Sequence, residues 1–570
     1  MKELFIRIFL LFTILCISIS ASHPSFLIDE PVESDNQTNH LFFLIQNGQI
    51  GQAIDIYRKL ANKSQEHDYQ LLQSIGVSLL EIGSNSRNPE VQLVSLFGAG
   101  ISLNEKTLHI LEKGIRCPSP QHQLVSLNFL SKYHNEDATQ ALEAALHSDF
   151  LPIRLEAAFH LCLIKHSHAC AQTESLMYKV APALHPLFPQ FFAASGTGTS
   201  IRILKQMLNN PNPMVRIQAI NSAVKFERDE VLSIIRMLAS HHDVAQQEAC
   251  AFALGEFRDD ASLSKLRHLA KNKSLPVRLS ANRSMYSLGQ QEAKNPIIEE
   301  ARNGDVFAIS LLADIPDTEE TLFLLTQNEN IHTRINAALA LLQHKDSRAL
   351  KPLCEILIKD NRDFAITPVS SIGNSLQAWK VVPSATQNFK ETPVNIELSL
   401  NKREEALILA ADLPNSDFLS LADAIFHFEQ NDLVPVLVKL LENIQTSEAI
   451  ALLKRYSQKA GAPLVRNYCN LALYRLNEEG PYYENLKNWI LSKRSVDLIR
   501  FRPMVPLEKR PFKVQYQMTP EEESRLLVES FESFVQMQDD RGISILLQAI
   551  RDGNKNNKYV LAGLLIRATL

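Results

Sequence analysis

Residues 212–219 read NPMVRIQA, which is the clearest copy of a motif that recurs along the chain. Arg154, Arg216 and Arg278 are evenly spaced, and half of their spacing gives a period of 31. Multiples of 31 fill in one column of mostly long polar side chains: Gln92, Gln123, Arg154, His185, Arg216, Gln247 and Arg278. Self-similarity at a fixed period of about 20–50 residues indicates a repeat architecture.

Each repeat unit is expected to hold two helices. Three residues after the first column stands a mostly small residue: Ser95, Ser126, Ala157, Phe188, Ala219, Cys250 and Ala281. A proline lies shortly before most members of the first column. This position is expected to be the first turn of a helix, which tolerates proline. A later apolar column marks the second helix: Leu111, Leu142, Thr173, Leu204, Ile235 and Leu266. Such a helix pair buries its faces only by stacking on its neighbours.

The composition narrows the class of protein. At 570 residues the chain is too long for one ordinary compact core, and its 18 glycines are few for a sheet-rich fold. Its 58 Lys and Arg against 63 Asp and Glu argue against a dedicated nucleic-acid binder. Seven cysteines are too few for a disulfide scaffold, and 45% hydrophobic content excludes a largely disordered chain.

The recurring motifs resemble HEAT repeats. NPMVRIQA, LPVRLSA at 275–281 and EACAFALG at 248–255 are most similar to the short HEAT repeats of phycobilisome-lyase-like proteins, over about 89–290. Weaker single copies surround Arg334 and Arg466. The resemblance implies an all-α fold, an α-α superhelical solenoid of stacked antiparallel helix pairs with two irregular proline-containing insertions. It also implies that the second helices line the concave face.

The expected domain organisation follows the composition and the repeat pattern along the chain. The segments are a signal peptide at 1–22, a linker at 23–40, a HEAT-like repeat array at 41–360, an irregular insertion at 361–401, a second helical repeat segment at 402–492, an extended linker or strap at 493–519 and C-terminal helices at 520–570. Thr519-Pro520-Glu521-Glu522 predicts a helix start with a cap, a proline in the first turn and an acid three residues after the cap.

The two insertions carry alternating apolar residues, a pattern that favours strands. The alternating positions are Val394, Ile396, Leu398 and Leu400 in the first insertion, and Phe512, Val514, Tyr516 and Met518 in the second. They predict a small β-pair or straps across the helical array, with two irregular loops as the alternative.

The first residues resemble a secretory signal peptide. Lys2 and Arg7 precede the apolar run 8–19, and small residues follow at 20–22. The run is too short for a membrane span of about twenty residues. The sequence therefore predicts export to a periplasmic or secreted location, with no stable membrane span after cleavage; an uncleaved tether is the alternative.

Sequence signatures of catalysis are missing. None of the 17 histidines is followed by Glu, and no His-Glu-x-x-His, Gly-x-Ser-x-Gly or Cys-x-x-Cys motif occurs. His160, Cys162, His166, His168 and Cys170 have the composition of a metal site, but the repeat register places both cysteines in packing columns. No metal, cofactor or catalytic residue is predicted, and whether Cys162 and Cys170 oxidise stays open.

One charged column stands out on the second helices. Its members follow the same period of 31: Glu112, Glu143, Glu174, Lys205, Arg236 and Arg267. Three acids are followed by three bases, which would form a polarised groove that binds an extended or helical partner of complementary charge. The alternative is a solvated face, in which exposed ion pairs contribute roughly 0–1 kcal/mol.

The function predicted from these features is an exported, non-catalytic scaffold or adaptor that binds another protein through its solenoid surface. Extended surfaces of this kind are what repeat arrays present to partners. The alternative, by resemblance, is a lyase-like HEAT-repeat enzyme or enzyme accessory that acts on a small-molecule or protein substrate. That alternative predicts a pocket with convergent polar groups and a bound small molecule.

Overall fold

The computed structural model describes residues 32–64, 66–358, 364–383, 393–499 and 517–569. The chain divides into two compact units, Met1–Lys63 and Ser64–Leu570. The first unit contains α1 (Val32–Gln46) and all but the last residue of α2 (Ile50–Ser64). Helix α1 begins inside the segment expected to be a linker, and the expected signal peptide lies outside the described residues.

The second unit is a succession of antiparallel helices. Its first helices are α3 (Tyr69–Ser84), α4 (Pro89–Ser102), α5 (Leu108–Ile115), α6 (Pro120–Leu130), α7 (Glu136–Ala145), α8 (Leu151–Leu163), α9 (Ala169–Lys179), α10 (Pro189–Ser195), α11 (Gly198–Leu208), α12 (Pro213–Lys225), α13 (Leu232–Leu238), α14 (Val244–Glu256), α15 (Leu263–Leu269), α16 (Leu275–Ser287), α17 (Lys294–Arg302), α18 (Val306–Leu311), α19 (Glu319–Leu325), α20 (Ile331–Gln343) and α21 (Leu350–Leu357). Two strands follow, β1 (Phe364–Ser370) and β2 (Gln377–Pro383). The remaining helices are α22 (Pro393–Ala410), α23 (Asn415–His427), α24 (Val434–Ile444), α25 (Ser447–Ser457), α26 (Pro463–Arg475), α27 (Tyr482–Ser492), α28 (Pro520–Gln536), α29 (Asp540–Asp552) and α30 (Asn557–Arg567).

The helices form two layers, which confirms the predicted all-α solenoid of stacked helix pairs. From α4 to α30, each even-numbered helix packs against the next even-numbered helix, and the odd-numbered helices pack beside them as the second members of the pairs. The small column explains the close approach of the even-numbered helices: Ala157, Ala219 and Ala281 are fully buried. Within the described ranges, no helix is both long enough and apolar enough to cross a bilayer.

The polar column caps the end of the preceding unit. Arg216 Nη1 donates to the carbonyl oxygens of Asn210 (2.8 Å) and Pro211 (3.0 Å), where the preceding second helix has ended. The same bond, to the carbonyl six residues earlier, is made by Gln92, Gln123, Arg154, Gln247, Arg278, Arg334 and Arg466. His185 lies instead in a 3₁₀ segment, Pro182–Leu187. The column recurs because each unit must satisfy carbonyls at this turn.

Arg216→Ala is expected to lower the free energy of unfolding by about 1–3 kcal/mol, because it removes the two carbonyl hydrogen bonds and a third, at 2.6 Å, to Gln246. Urea unfolding measures the change. Arg202→Ala, at an exposed position of α11, is the matched control, with an expected change below about 0.5 kcal/mol. An equal loss in the two variants would contradict the capping role.

The first insertion forms a β-hairpin. Strands β1 and β2 pair antiparallel, with Ile366 opposite Val381 and Pro368 opposite Trp379. The strand prediction at 394–400 is wrong, because those residues lie in α22, which begins at Pro393 with proline in its first turn. In the second insertion, the alternating positions 512–516 lie outside the described residues. The predicted helix start at Thr519 is confirmed by a capping box between Thr519 and Glu522.

The hairpin shows which layer is concave. Ile366 N donates to Ser399 Oγ on α22 (3.1 Å), and Asn221 on α12 donates to the carbonyl oxygen of Gly373 (3.0 Å). The extended chain between Ile366 and Gly373 spans about 23 Å, whereas five steps between packed helices, from α12 to α22, measure roughly 40–50 Å. So short a segment reaches both helices only across a concave surface. The even-numbered layer is therefore concave, and the expectation that the second helices line this face is wrong, since small buried residues draw the first helices together there.

The helix stack of the second unit closes on itself. Helix α30 packs against both α3 and α4, although it is the last helix of this unit and they are its first two. Gln73 on α3 donates to Thr569 Oγ1 (3.0 Å), and Tyr69 donates to Asp540 Oδ1 (3.3 Å). Helix α30 occupies the position of the first helix of a repeat pair, and α3 occupies the position of the second helix of the same pair. One helix pair is thus assembled from two distant segments of the chain.

Glycines allow this closure. A Cβ on Gly98 of α4 would lie 2.2 Å from the carbonyl oxygen of Tyr559, and one on Gly563 of α30 would lie 2.1 Å from the carbonyl oxygen of Gly98. The two backbones therefore approach more closely than any side chain permits. Because the neighbouring atoms are backbone atoms, they cannot rotate out of the way.

Candidate functional site

The charged strip, defined as Glu112, Glu143, Glu174, Lys205, Arg236 and Arg267, lies on the second helices. Its members occupy successive odd-numbered helices: α5, α7, α9, α11, α13 and α15. Five of the six are half-buried and Arg267 is exposed. Because the odd-numbered layer is the convex one, these side chains diverge along an outer surface instead of converging in a groove.

Half of the strip also ties neighbouring units together. Arg236 donates two hydrogen bonds to Asp259 (2.6 and 2.7 Å), and Arg267 donates one to Gln290 (3.3 Å). Glu143 Oε1 lies 3.4 Å from His166 Nδ1. In each case the partner lies at the same sequence separation, in the turn that follows the next even-numbered helix. The strip therefore has a structural role at these positions, which the period of 31 could not reveal.

The Arg236–Asp259 pair is the strongest of these links. The Asp259 side chain is 4% exposed, and the hydrogen bonds from Arg236 hold the pKa of its carboxyl group below the usual value. Ser262 donates a further hydrogen bond to the same carboxyl group. Arg236 is thus held in place by its own chain.

The other strip members are available to a partner. Among the described residues, the side chains of Glu112, Glu174 and Lys205 make no ion pair. Two of these are acidic and lie toward the start of the array, and the third is basic. Whether the strip binds a protein stays a prediction, since its placement alone does not test it.

A cleft lies at the basic end of the strip. It has a volume of about 520 Å³, and its charged lining comes from Arg267, Lys271, Arg278, Glu299 and Glu300. Arg278 is already paired with Glu300 (2.8 Å), whereas Arg267 and Lys271 are exposed. The apolar part of the lining is Ala270, Leu275, Leu279, Met285 and Pro296. Arg267 and Lys271 form the cationic part of the rim, and the exposed Glu299 lies on the same rim. The cationic part and the apolar floor together suit a partner segment that carries a carboxylate beside an apolar side chain.

The structure gives the five residues of the suggested metal cluster different surroundings. Cys162 is buried, its sulfur lies 3.4 Å from Thr173 Oγ1, and burial raises the pKa of its thiol to about 11. Cys170 is buried too, so the packing role predicted for both cysteines is confirmed. His160 pairs with Glu156 (3.2 Å) on its own helix. His166 and His168 instead converge on Glu143, a neighbour that sequence reasoning missed.

On the concave side, the hairpin is held through its backbone and through two serine hydroxyl groups. The side-chain oxygens of Glu248, fully buried on α14, accept hydrogen bonds from Ser371 Oγ, Gly373 N and Ser375 Oγ. Asn336 on α20 bonds both backbone groups of Trp379, at 2.7 and 2.9 Å. Side chains of the concave layer therefore bind an extended segment through its main-chain groups and through the hydroxyl groups of Ser371 and Ser375.

Comparisons with known proteins agree with a helical repeat. Residues 201–285 match the family described as HEAT repeats. A search among curated proteins finds no match.

Solved structures with similar folds are matched at low identity. The complex of CpcE and CpcF of phycocyanin lyase from Nostoc sp. PCC7120 is 18% identical, with 39% of this chain and 96% of that chain covered and a TM-score of 0.29. Yeast importin-beta is 11% identical, with coverage of 91% and 81% and a TM-score of 0.33. UNC-45 from Drosophila melanogaster is 13% identical, with coverage of 94% and 88% and a TM-score of 0.31.

Proposed function

We propose that this chain is a non-catalytic scaffold or adaptor that binds another protein along the charged strip. The observation that supports this most is the change of sign along one outer surface, from three acids to three bases on six successive odd-numbered helices. A solenoid surface of this kind offers a long contact area without a deep pocket.

The polarity of the strip implies a directional partner. An elongated partner with bases at one end and acids at the other is attracted in one orientation and repelled in the reverse one. Charges of this kind raise the rate of association and select the partner more than they add affinity. Glu112, Glu174 and Lys205 would carry this recognition together with the exposed Arg267, which would exchange its long hydrogen bond to Gln290 (3.3 Å) for the partner. Arg236 stays engaged with Asp259.

The cleft beside Arg267 would anchor such a partner. Strips of exposed charge bind weakly by themselves, since water and salt screen them. A cavity with an apolar floor adds buried area at one point, and interface energy usually concentrates at such points. An acidic and apolar segment of the partner would dock there.

Export is part of the proposal. The charged residues Lys2 and Arg7, the apolar run 8–19 and the small residues 20–22 support secretion to a periplasmic or extracellular location. Mapping the amino terminus of the protein from its native cells tests this. A start between Ala21 and His23 would support cleavage, and an intact Met1 in the soluble cytoplasm would overturn it.

The binding proposal predicts that charge reversal in the strip removes one specific partner. The variant combines Glu112→Lys, Lys205→Glu and Arg267→Glu, and leaves Glu143 and Arg236 in their intramolecular contacts. We expect crosslinked affinity capture with mass spectrometry to recover a stoichiometric protein with the wild type and at least about tenfold less with the variant, because complementary charges become like charges.

A matched control separates the strip from the net charge of the chain. Lys351→Glu, at an exposed position of α21, changes the net charge by the same two units as the triple variant. It should capture the partner as well as the wild type does. Equal capture by the triple variant would overturn the strip, whereas a co-purifying small molecule without a protein partner would favour the lyase-like enzyme alternative.

A further inference from the structure

Three potential metal ligands meet at the junction of two repeat units. Glu143 lies on α7, and His166 and His168 lie in the turn between α8 and α9. Glu143 Oε1 is 3.4 Å from His166 Nδ1 and 3.6 Å from His168 Nδ1. One ligand atom from each of the three residues lies within 4.8 Å of the others. The two imidazole rings are nearly perpendicular, at 81°, and their centroids lie 5.6 Å apart.

These distances fit the edges of a zinc coordination tetrahedron. Zinc–nitrogen and zinc–oxygen bonds are about 2.0–2.1 Å long, which places two ligands of a tetrahedral ion roughly 3.3–3.4 Å apart. Two of the three separations, 3.4 and 3.6 Å, are close to that value, and the third is within 4.8 Å. The first two are longer than a direct hydrogen bond between imidazole and carboxylate, for which about 2.7–3.2 Å is usual.

One of the ligand atoms is buried and lacks a partner. His166 Nδ1 is inaccessible to solvent and makes no hydrogen bond within the described part of the chain. A buried polar nitrogen without a partner is costly, and an ion between it and Glu143 would satisfy it. Other histidines that face an acid do so singly and at 3.2 Å, as in His109 with Glu81 and His160 with Glu156.

We propose that Glu143, His166 and His168 bind a zinc ion. Two imidazoles and one carboxylate are a known zinc ligand set, and a water molecule would complete the tetrahedron. His168 is 74% exposed, so the ion reaches the site from solvent. The lone pair of each Nδ1 and of the carboxylate oxygen forms the bonds, and no redox step is involved.

The ion would act as a cross-link between repeat units. Glu143 and His166 have the same sequence separation as Arg236 and Asp259, which form a direct salt bridge. At the Glu143–His166 junction neither side chain is an arginine, but both residue types can bind a metal ion. The bound cation would therefore take the place that the positive charge of Arg236 has at the later junction. The proposal does not depend on a protein partner, and the strip variant described above leaves Glu143 unchanged.

Zinc titration of the full-length, tag-free protein tests the site. After treatment with a chelator, calorimetry should give one zinc ion per chain with a dissociation constant below about 10 μM. His168→Ala is the main variant, because this exposed side chain can be removed without disturbing the fold. We expect it to weaken zinc binding at least about tenfold, as Glu143→Gln should. Cobalt substituted for zinc should show the intense visible absorption of a tetrahedral site in the wild type only.

Controls distinguish the site from other surface histidines. His109→Ala and His160→Ala each remove one histidine that faces a single acid, and both should bind zinc as the wild type does. Zinc binding that is equal in wild type and His168→Ala would overturn the proposal. So would the absence of a zinc site tighter than about 10 μM, because free zinc would then leave the site unoccupied.

Discussion

Gly98→Ala is expected to break the contact between α4 and α30 and to produce the largest loss of stability among the variants considered. The new Cβ would lie 2.2 Å from the carbonyl oxygen and 3.0 Å from the carbonyl carbon of Tyr559. Since these are backbone atoms, the two helices must separate. Overpacking of this kind costs typically about 1–3 kcal/mol, and separation also exposes apolar side chains that each contribute roughly 1.5–3 kcal/mol when buried.

Hydrogen exchange locates the effect of this substitution. Protection of the amides in α3, α4 and α30 should fall, while helices on the far side of the stack, such as α14 and α16, keep theirs, because repeat units depend mainly on their neighbours. The midpoint of thermal unfolding should fall as well. Val560, Leu564 and Ile566 of α30 are fully buried, so a probe of exposed apolar surface should bind more strongly to the variant.

Gly198→Ala is the matched control for Gly98→Ala. A Cβ at Gly198 meets nothing within 4 Å, and the residue opens helix α11. The substitution should leave the unfolding midpoint unchanged or slightly higher, since alanine favours the helix. If the two variants have the same unfolding midpoint, the close approach at Gly98 does not stabilise the packing of α30 against α4.

Glu248→Ala is expected to release the hairpin from the concave face. Ser371, Gly373 and Ser375 would each lose the acceptor of a buried or half-buried hydrogen bond, at about 1–3 kcal/mol for each group left without a partner. Together they exceed what a short two-stranded hairpin gains by itself, since isolated hairpins are marginally stable. Asn221 and Asn336 would remain but hold the hairpin less firmly.

Tryptophan fluorescence reports this release. Trp379 and Trp489 are the two tryptophans of the chain, so Trp489→Phe leaves Trp379 as the single probe on β2. In that background Glu248→Ala should shift the emission to longer wavelength and increase quenching by iodide. Glu256→Ala, on the same helix, removes an acid paired with Arg283 at 2.6 Å and should leave the emission unchanged. Unchanged emission in Glu248→Ala as well would show that the hairpin does not depend on this residue.

The repeat could be predicted because its physical requirements recur. The side chains in the column of Arg216 donate to the equivalent carbonyl oxygen in successive units. The small column permits the even-numbered helices to pack closely in each unit. Residues in the left-handed backbone conformation follow the even-numbered helices at a regular period, but the amino-acid types at these positions do not reveal it. They are Lys165, Gly196, Glu227, Arg258 and Gly289, which follow the repeat period, and three of the five lack the glycine that would mark them.

Other features depend on contacts between segments that share no local pattern. Gly98 and Gly563 are far apart in the sequence, and nothing near either one predicts the other. The alternation at 394–400 favoured a strand, but the helix start at Pro393 prevailed. Spacing placed the charged strip on the second helices, yet the engagement of Arg236 by Asp259 and of Glu143 by two histidines crosses between units and required the structure.

The pairing of α30 with α3 and α4 has a consequence for synthesis of the protein in the cell. A ribosome adds about 5–20 residues per second, so α30 follows α4 by roughly 25–90 s. Throughout that interval the face of α3 around Gly76 and Gly83, which packs against Ile566 and Tyr559 of α30, is without its final cover. Nascent chains should therefore need a chaperone at this edge, and slow translation should lower the yield of folded protein more than it does for an open array.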